Sequence, residues 1–189
     1  MRDSFCKTPK WLRTLLIVVA VGLLVALFAT LSWAVTDETF HRTSHEGFCV
    51  SCHSMKPFAA AYEEDVHGGR NQFGVQAACT DCHLDKSSSM AYFVSKAKTG
   101  MHDFIVENTE DTSQIDWEAS RERREEFTYD SGCLSCHENL QDATKSNHKA
   151  FLPHKEYFLG TTDKHCVSCH EDVGHKNLSY HIANPNEAY

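Results

Sequence analysis

The stretch Cys49–Met55, CVSCHSM, decides what kind of chain this is. Its C-x-x-C-H core recurs as CTDCH at 79–83, CLSCH at 133–137 and CVSCH at 166–170, so eight of the nine cysteines lie in four copies of one pattern. Composition alone would give about 0.03 such matches in the chain, so the repetition is not coincidence. Each thiol pair can add to the two vinyl groups of a haem, and the histidine that follows then lies where its imidazole can meet the iron. A zinc ribbon pairs cysteines without needing a histidine after each pair, and a redox dithiol normally occurs once. The reading is four covalent haem c groups, attached through Cys49 and Cys52, Cys79 and Cys82, Cys133 and Cys136, and Cys166 and Cys169. Cys6, outside the pattern, reads as a plain reduced thiol.

Upstream, TLLIVVAVGLLVALFATLSWAV at 14–35 holds 22 residues without a charge, and about 20 apolar residues span a bilayer as a helix. Arg2, Lys7, Lys10 and Arg13 precede it against the single acid Asp3, whereas Asp37 and Glu38 follow it. The positive-inside rule then leaves 1–13 in the cytoplasm, 14–35 as a single-pass anchor in the bacterial inner membrane, and 36–189 in the periplasm, the side on which C-x-x-C-H motifs receive haem. Ser32-Trp33-Ala34 imitates a signal-peptide cleavage site, but the apolar run exceeds the usual signal length and Trp33 suits a membrane interface.

Net charge is -8, with +3 in residues 1–13 and -11 in the remainder, which carries 14 bases against 25 acids. An outer domain this acidic argues against nucleic acid and for a docking protein with a basic face. Roughly 150 residues around four haems leave most side chains near a porphyrin, so the cofactors form the core. The fold class expected is mainly α with extensive loops and essentially no sheet, a multihaem cytochrome c domain on one N-terminal transmembrane helix. Motif spacing suggests two pairs, the first two motifs and the last two, separated by helical sequence. That sequence predicts one helix over Ser89 to Ile105 and a charge-rich one over Asp116 to Phe127, started by Thr112 or Ser113 and read as a solvated spacer.

Nine histidines lie outside the motifs, His41, His45, His67, His102, His148, His154, His165, His175 and His181, which is ample for bis-histidine coordination of most irons. Within the motifs, His53, His83, His137 and His170 are the proximal candidates. Composition does not choose among the nine. Met55, two residues after His53, places a second soft donor beside the first motif.

The anchor, followed by FCVSCHSM, DVHGGRNQFGVQAACTDCH, KAKTGMHD, SGCLSCHENL and HCVSCHEDVGH, resembles the NapC/NirT/NrfH membrane-anchored tetrahaem cytochromes c over nearly the whole chain. The resemblance implies a quinol dehydrogenase that passes electrons to periplasmic reductases of the nitrate or nitrite type, or to a soluble cytochrome. It also implies Met55, in place of His53, on the first iron, and Lys96 and Asp103 in a quinol pocket. Those two stand seven residues apart, about two turns, and so share a helix face. By the same resemblance His67 reaches the third haem and His175 the second. His154, twelve residues before Cys166, is the candidate for the fourth, with His148 open. Two other functions stay in view, a multihaem terminal reductase and a tethered electron carrier without a quinol site, and association of two copies is left open.

Overall fold

The computed structural model describes residues 9–185, so Cys6, Arg2, Asp3 and Lys7 lie outside the described residues. The chain divides into two units, residues 1–43 and 44–189.

The first unit holds helix α1, Lys10–Arg42, 33 residues with no buried side chain. At 1.5 Å per residue it runs about 50 Å, more than the roughly 30 Å of a hydrocarbon core. It is long and apolar enough to cross a membrane. The helix extends past the expected 14–35 window at both ends. Its threonine hydroxyls are satisfied internally: Thr14, Thr30, Thr36 and Thr39 donate to the carbonyls of Lys10, Leu27, Ser32 and Val35. Bonded this way, they demand no water along the apolar stretch.

The second unit is built from short helices and turns: α2 (Glu46–Cys49), a 3-10 turn His53–Met55, α3 (Lys56–Glu63), α4 (Cys79–His83), α5 (Ser89–Thr109), α6 (Trp117–Glu122), α7 (Asp130–Cys136), α8 (Leu140–Ala143), α9 (His148–Phe158), α10 (Cys166–Cys169) and α11 (Leu178–Ala183). Among the described residues the only β pairing is the bridge Gly68–Gln76. The polypeptide's own core is small. Ala59, Ala60, Ala61 and Tyr62 on α3 meet Leu178 on α11, while Leu84 and Val167 are buried elsewhere. No large side chain among the described residues is fully enclosed, as expected of a domain that relies on cofactors for its interior.

Each cysteine motif carries its own latch. The second residue between the cysteines is polar in all four, and its side chain bonds the residue just before the motif. Ser51 donates to Phe48 O (2.6 Å) and Ser135 to Gly132 O (2.7 Å), while Asp81 and Ser168 accept from the amides of Ala78 and His165 (2.8 Å each). These bonds satisfy groups that a one-turn helix leaves orphaned.

Motif two packs directly on motif three through α4 and α7, with Tyr129 N donating to Cys82 O (3.0 Å). Gly132 makes this approach possible: a Cβ there would lie 2.0 Å from Asp81 O. Replacing Gly132 by Ala must therefore force α4 and α7 apart. We expect a loss of about 1–3 kcal/mol of stability, read as a lower denaturation midpoint than for Gly100→Ala, where an added Cβ meets nothing within 4 Å.

Candidate haem-binding site

The described cysteines are all free thiols. They meet across motifs: Cys49 and Cys79 lie close enough to act on each other, as do Cys133 and Cys166. The two motif pairs suggested by spacing are thus in contact, and the α4–α7 packing additionally joins motif two to motif three, which spacing did not suggest.

Six histidines meet in three ring pairs. His83 faces His175 with centroids 6.0 Å apart, His67 faces His137 at 6.3 Å, and His154 faces His170 at 6.2 Å. Two imidazoles ligating one metal from opposite sides, with about 2.0–2.1 Å per metal–nitrogen bond and about 1.1 Å from nitrogen to ring centre, would stand about 6.3 Å apart. Each pair therefore has room for one iron between its rings, and each includes the histidine of a cysteine motif. Such a donor set fits haem c. Among the described residues no three His, Cys, Asp or Glu side chains converge as they would around zinc.

Four of these rings are held through Nδ1, which leaves Nε2 for the metal. His83 donates to Phe127 O (2.7 Å), His154 to Ala150 O (2.7 Å) and His175 to Phe58 O (3.1 Å). His67 instead meets the Asp65 carboxylate at 2.8 Å. Burial, with His83 beside it, pushes His175 down to about 4, and desolvation also lowers His83. Both rings are thereby kept in the neutral form that binds metal.

The first motif is built differently. His53 is exposed and Met55 half-buried at the end of the 3-10 turn. The motif is pinned along α5, whose N-cap Ser88 accepts from Ala91 N. Glu107 on α5 accepts from His53 N (3.0 Å) and Ser54 Oγ (2.6 Å), and Lys96 donates to Ser44 Oγ (2.6 Å). Asp103 lies on the same side, close enough for its charge to act on Cys49 and Cys52. Desolvation lowers Lys96. Helix α5 thus brings Lys96 and Asp103 to motif one, and it runs four residues past the expected Ile105. Glu107 escaped the sequence reading, although it stands one turn beyond Asp103 on the same face.

The charge-rich segment 116–127 is largely solvated, as expected, but it is more than a spacer. Its N-cap is Asp116, which accepts from Ala119 N (2.9 Å), in place of Thr112 or Ser113. The helix ends at Glu122, and a 3-10 turn, Arg124–Glu126, follows. Arg124 Nε donates to Val167 O (2.7 Å) and its Nη2 pairs with Glu171 (2.8 Å). Arg121 bonds Asp172, and Glu125 accepts from Ser168. Trp117 stacks edge-on against Phe58, whose ring in turn meets His175. The segment is a strut that touches the second and fourth sites. Asp130 performs a similar task between motifs three and four, accepting from Cys166 N (3.0 Å) and Tyr157 Oη (2.9 Å).

Paired imidazoles beside paired thiols define a multihaem c-type cytochrome. The sequence profile described as NapC/NirT cytochrome c family, N-terminal region, matches residues 10–180, and the chain belongs to that family. It is 36% identical over 132 residues to the cytochrome c-type protein TorY of Escherichia coli O157:H7, covering 62% of this chain and 35% of that one. A putative tetraheme cytochrome-c type protein of Allochromatium vinosum is 34% identical over 128 residues, 63% of this chain and 67% of the relative. The cytochrome c-type protein NrfH of Wolinella succinogenes is 26% identical over 102 residues, 52% of this chain and 51% of NrfH. The chain spans little more than a third of TorY and TorC. No solved structure gives a significant match.

Replacing Arg124 by Ala should strip Val167 O and Glu171 of their partner and loosen motif four. A cost of about 1–3 kcal/mol follows from leaving a part-buried carbonyl unpaired, measurable as a lower thermal midpoint, whereas the more exposed Arg123→Ala should change it little.

Proposed function

We propose that the protein is a single-pass inner-membrane cytochrome with four haems that oxidises quinol and passes the electrons to a periplasmic reductase. Family membership, the four motifs and the three imidazole pairs support this reading; the placement of Lys96 and Asp103 beside motif one carries the quinol assignment. In this reading α1 is the anchor, residues 1–13 stay in the cytoplasm and the second unit lies in the periplasm.

The residues then divide by role. His83 with His175, His137 with His67, and His170 with His154 would hold the second, third and fourth irons, and Met55 the first. When bound, haem c supplies centres that each accept and release one electron. Quinol gives up two protons with its two electrons, so the pocket needs a group that takes a proton. Asp103 has its carboxylate open to water and in contact with His102 Nδ1 at 3.2 Å, a route by which a proton can leave. Lys96, half-buried and held on Ser44, is placed to donate a hydrogen bond to a quinol oxygen. Beside them α5 exposes Met90, Phe93, Val94, Met101, Phe104 and Ile105, a face suited to the apolar tail of a membrane quinol.

Two experiments test this. Asp103→Asn should slow reduction by a menadiol-type quinol by about a hundredfold or more, the scale of a lost proton acceptor, while haem content and reduction by dithionite stay as in the parent; equal loss of all three would mean that Asp103 serves the fold. His154→Gly should convert one low-spin centre to high-spin, with added imidazole restoring it. His148→Gly should leave the spectrum unchanged, and the opposite pattern would exchange the two assignments.

A further inference from the structure

Asp65 differs from every other partner that holds a paired imidazole in place. Three of the rings rest on neutral backbone carbonyls, whereas His67 Nδ1 donates to a carboxylate oxygen at 2.8 Å. The same Oδ1 accepts from His67 N at 2.8 Å, so the acid, backbone and ring form one rigid unit. That unit is fixed from both sides. Asp65 N donates to Tyr62 O on α3, and His67 O accepts from Ala77 N at 2.9 Å beside the Gly68–Gln76 bridge. Asn71 closes the intervening loop with bonds to Val66 O and Val75 O. Gly68 is packed so tightly on Tyr62 O that a Cβ would lie 2.0 Å from it. Asp65 is only 8% exposed, and water screens its charge poorly.

We propose that Asp65 is a positioning residue that lowers the reduction potential of the third haem by accepting the Nδ1 hydrogen bond of His67. A carboxylate acceptor draws the Nδ1 proton towards itself and makes Nε2 a stronger electron donor. A stronger axial donor favours ferric over ferrous iron, and a fixed negative charge a few ångströms away acts in the same direction. The inference rests on His67 and His137 sharing an iron, as set out above. Its consequence is that the third centre accepts its electron less readily than it would on a neutral acceptor.

The test is a spectropotentiometric titration of the full-length holoprotein beside its Asp65→Asn variant. The amide keeps the side chain's size and can still accept from Nδ1, so the change is one of charge. We expect four haems by mass and an unchanged low-spin spectrum in both proteins. In the variant one midpoint should rise enough to increase the ferrous-to-ferric ratio at fixed potential about tenfold, which is about 59 mV for one electron. Four midpoints that stay put, or four that move together, would overturn the role of Asp65 without touching the haem assignment. A parent protein without four low-spin or Met-ligated haems would instead sink the reading beneath it. If the amide costs haem, Asp65→Glu decides: full haem with the low midpoint kept supports the proposal, and haem lost again, or a raised midpoint, overturns it.

Discussion

Everything in the second unit depends on holding two imidazoles about 6 Å apart, tilted or edge-on to one another, with four of the six rings restrained through Nδ1. Part-buried or exposed imidazoles, as these six are, do not keep that separation by packing alone, so something must restrain the rings. The polypeptide supplies the restraint: Phe127 O, Ala150 O, Phe58 O and Asp65 each fix one ring through Nδ1. Because those acceptors come from α3, the turn after α6, α9 and the loop before the Gly68–Gln76 bridge, segments outside the cysteine motifs set the geometry of the three ring pairs.

The small apolar core follows from the same requirement. Among the described residues the largest cluster of buried apolar side chains lies where α3 packs on α11, with its alanines and Leu178. Elsewhere polar ties replace hydrophobic packing: Arg124 on Val167 and Glu171, Asp130 on Cys166 and Tyr157, Glu107 on His53 and Ser54. Arg124 and Glu107 each tie a motif to a segment that carries no cysteine, whereas Asp130 ties motif four to α7, which carries motif three. Part-buried bonds of this kind position groups more than they stabilise the chain, which suits a protein whose cofactors provide the apolar contact.

Much of this was legible in the sequence, and what escaped has physical reasons. Four C-x-x-C-H motifs and one uncharged run announce covalent haem and a membrane-length helix without further help. Lys96 and Asp103 could be placed together because helical periodicity is local. The partners of His83, His137 and His170 could not be read from spacing, since each pairing closes a long loop and any of nine histidines would satisfy it; resemblance to a family pointed to them. Backbone acceptors such as Phe127 O leave no mark on residue identity at all. The ties made by segment 116–127 escaped because alternating charges look the same whether they face solvent, as most here do, or, as Arg124 does, a carbonyl of a neighbouring motif.

The contact between α4 and α7 has a further meaning for the layout of the molecule. Residues 84–129 leave motif two, build α5 and the strut, and return so that Tyr129 lies on Cys82. They form a detour whose two ends coincide. Such a detour can be lengthened, shortened or re-equipped without altering the approach of the second motif to the third, so in the proposed reading the helix beside motif one and the packed motifs can change independently of each other.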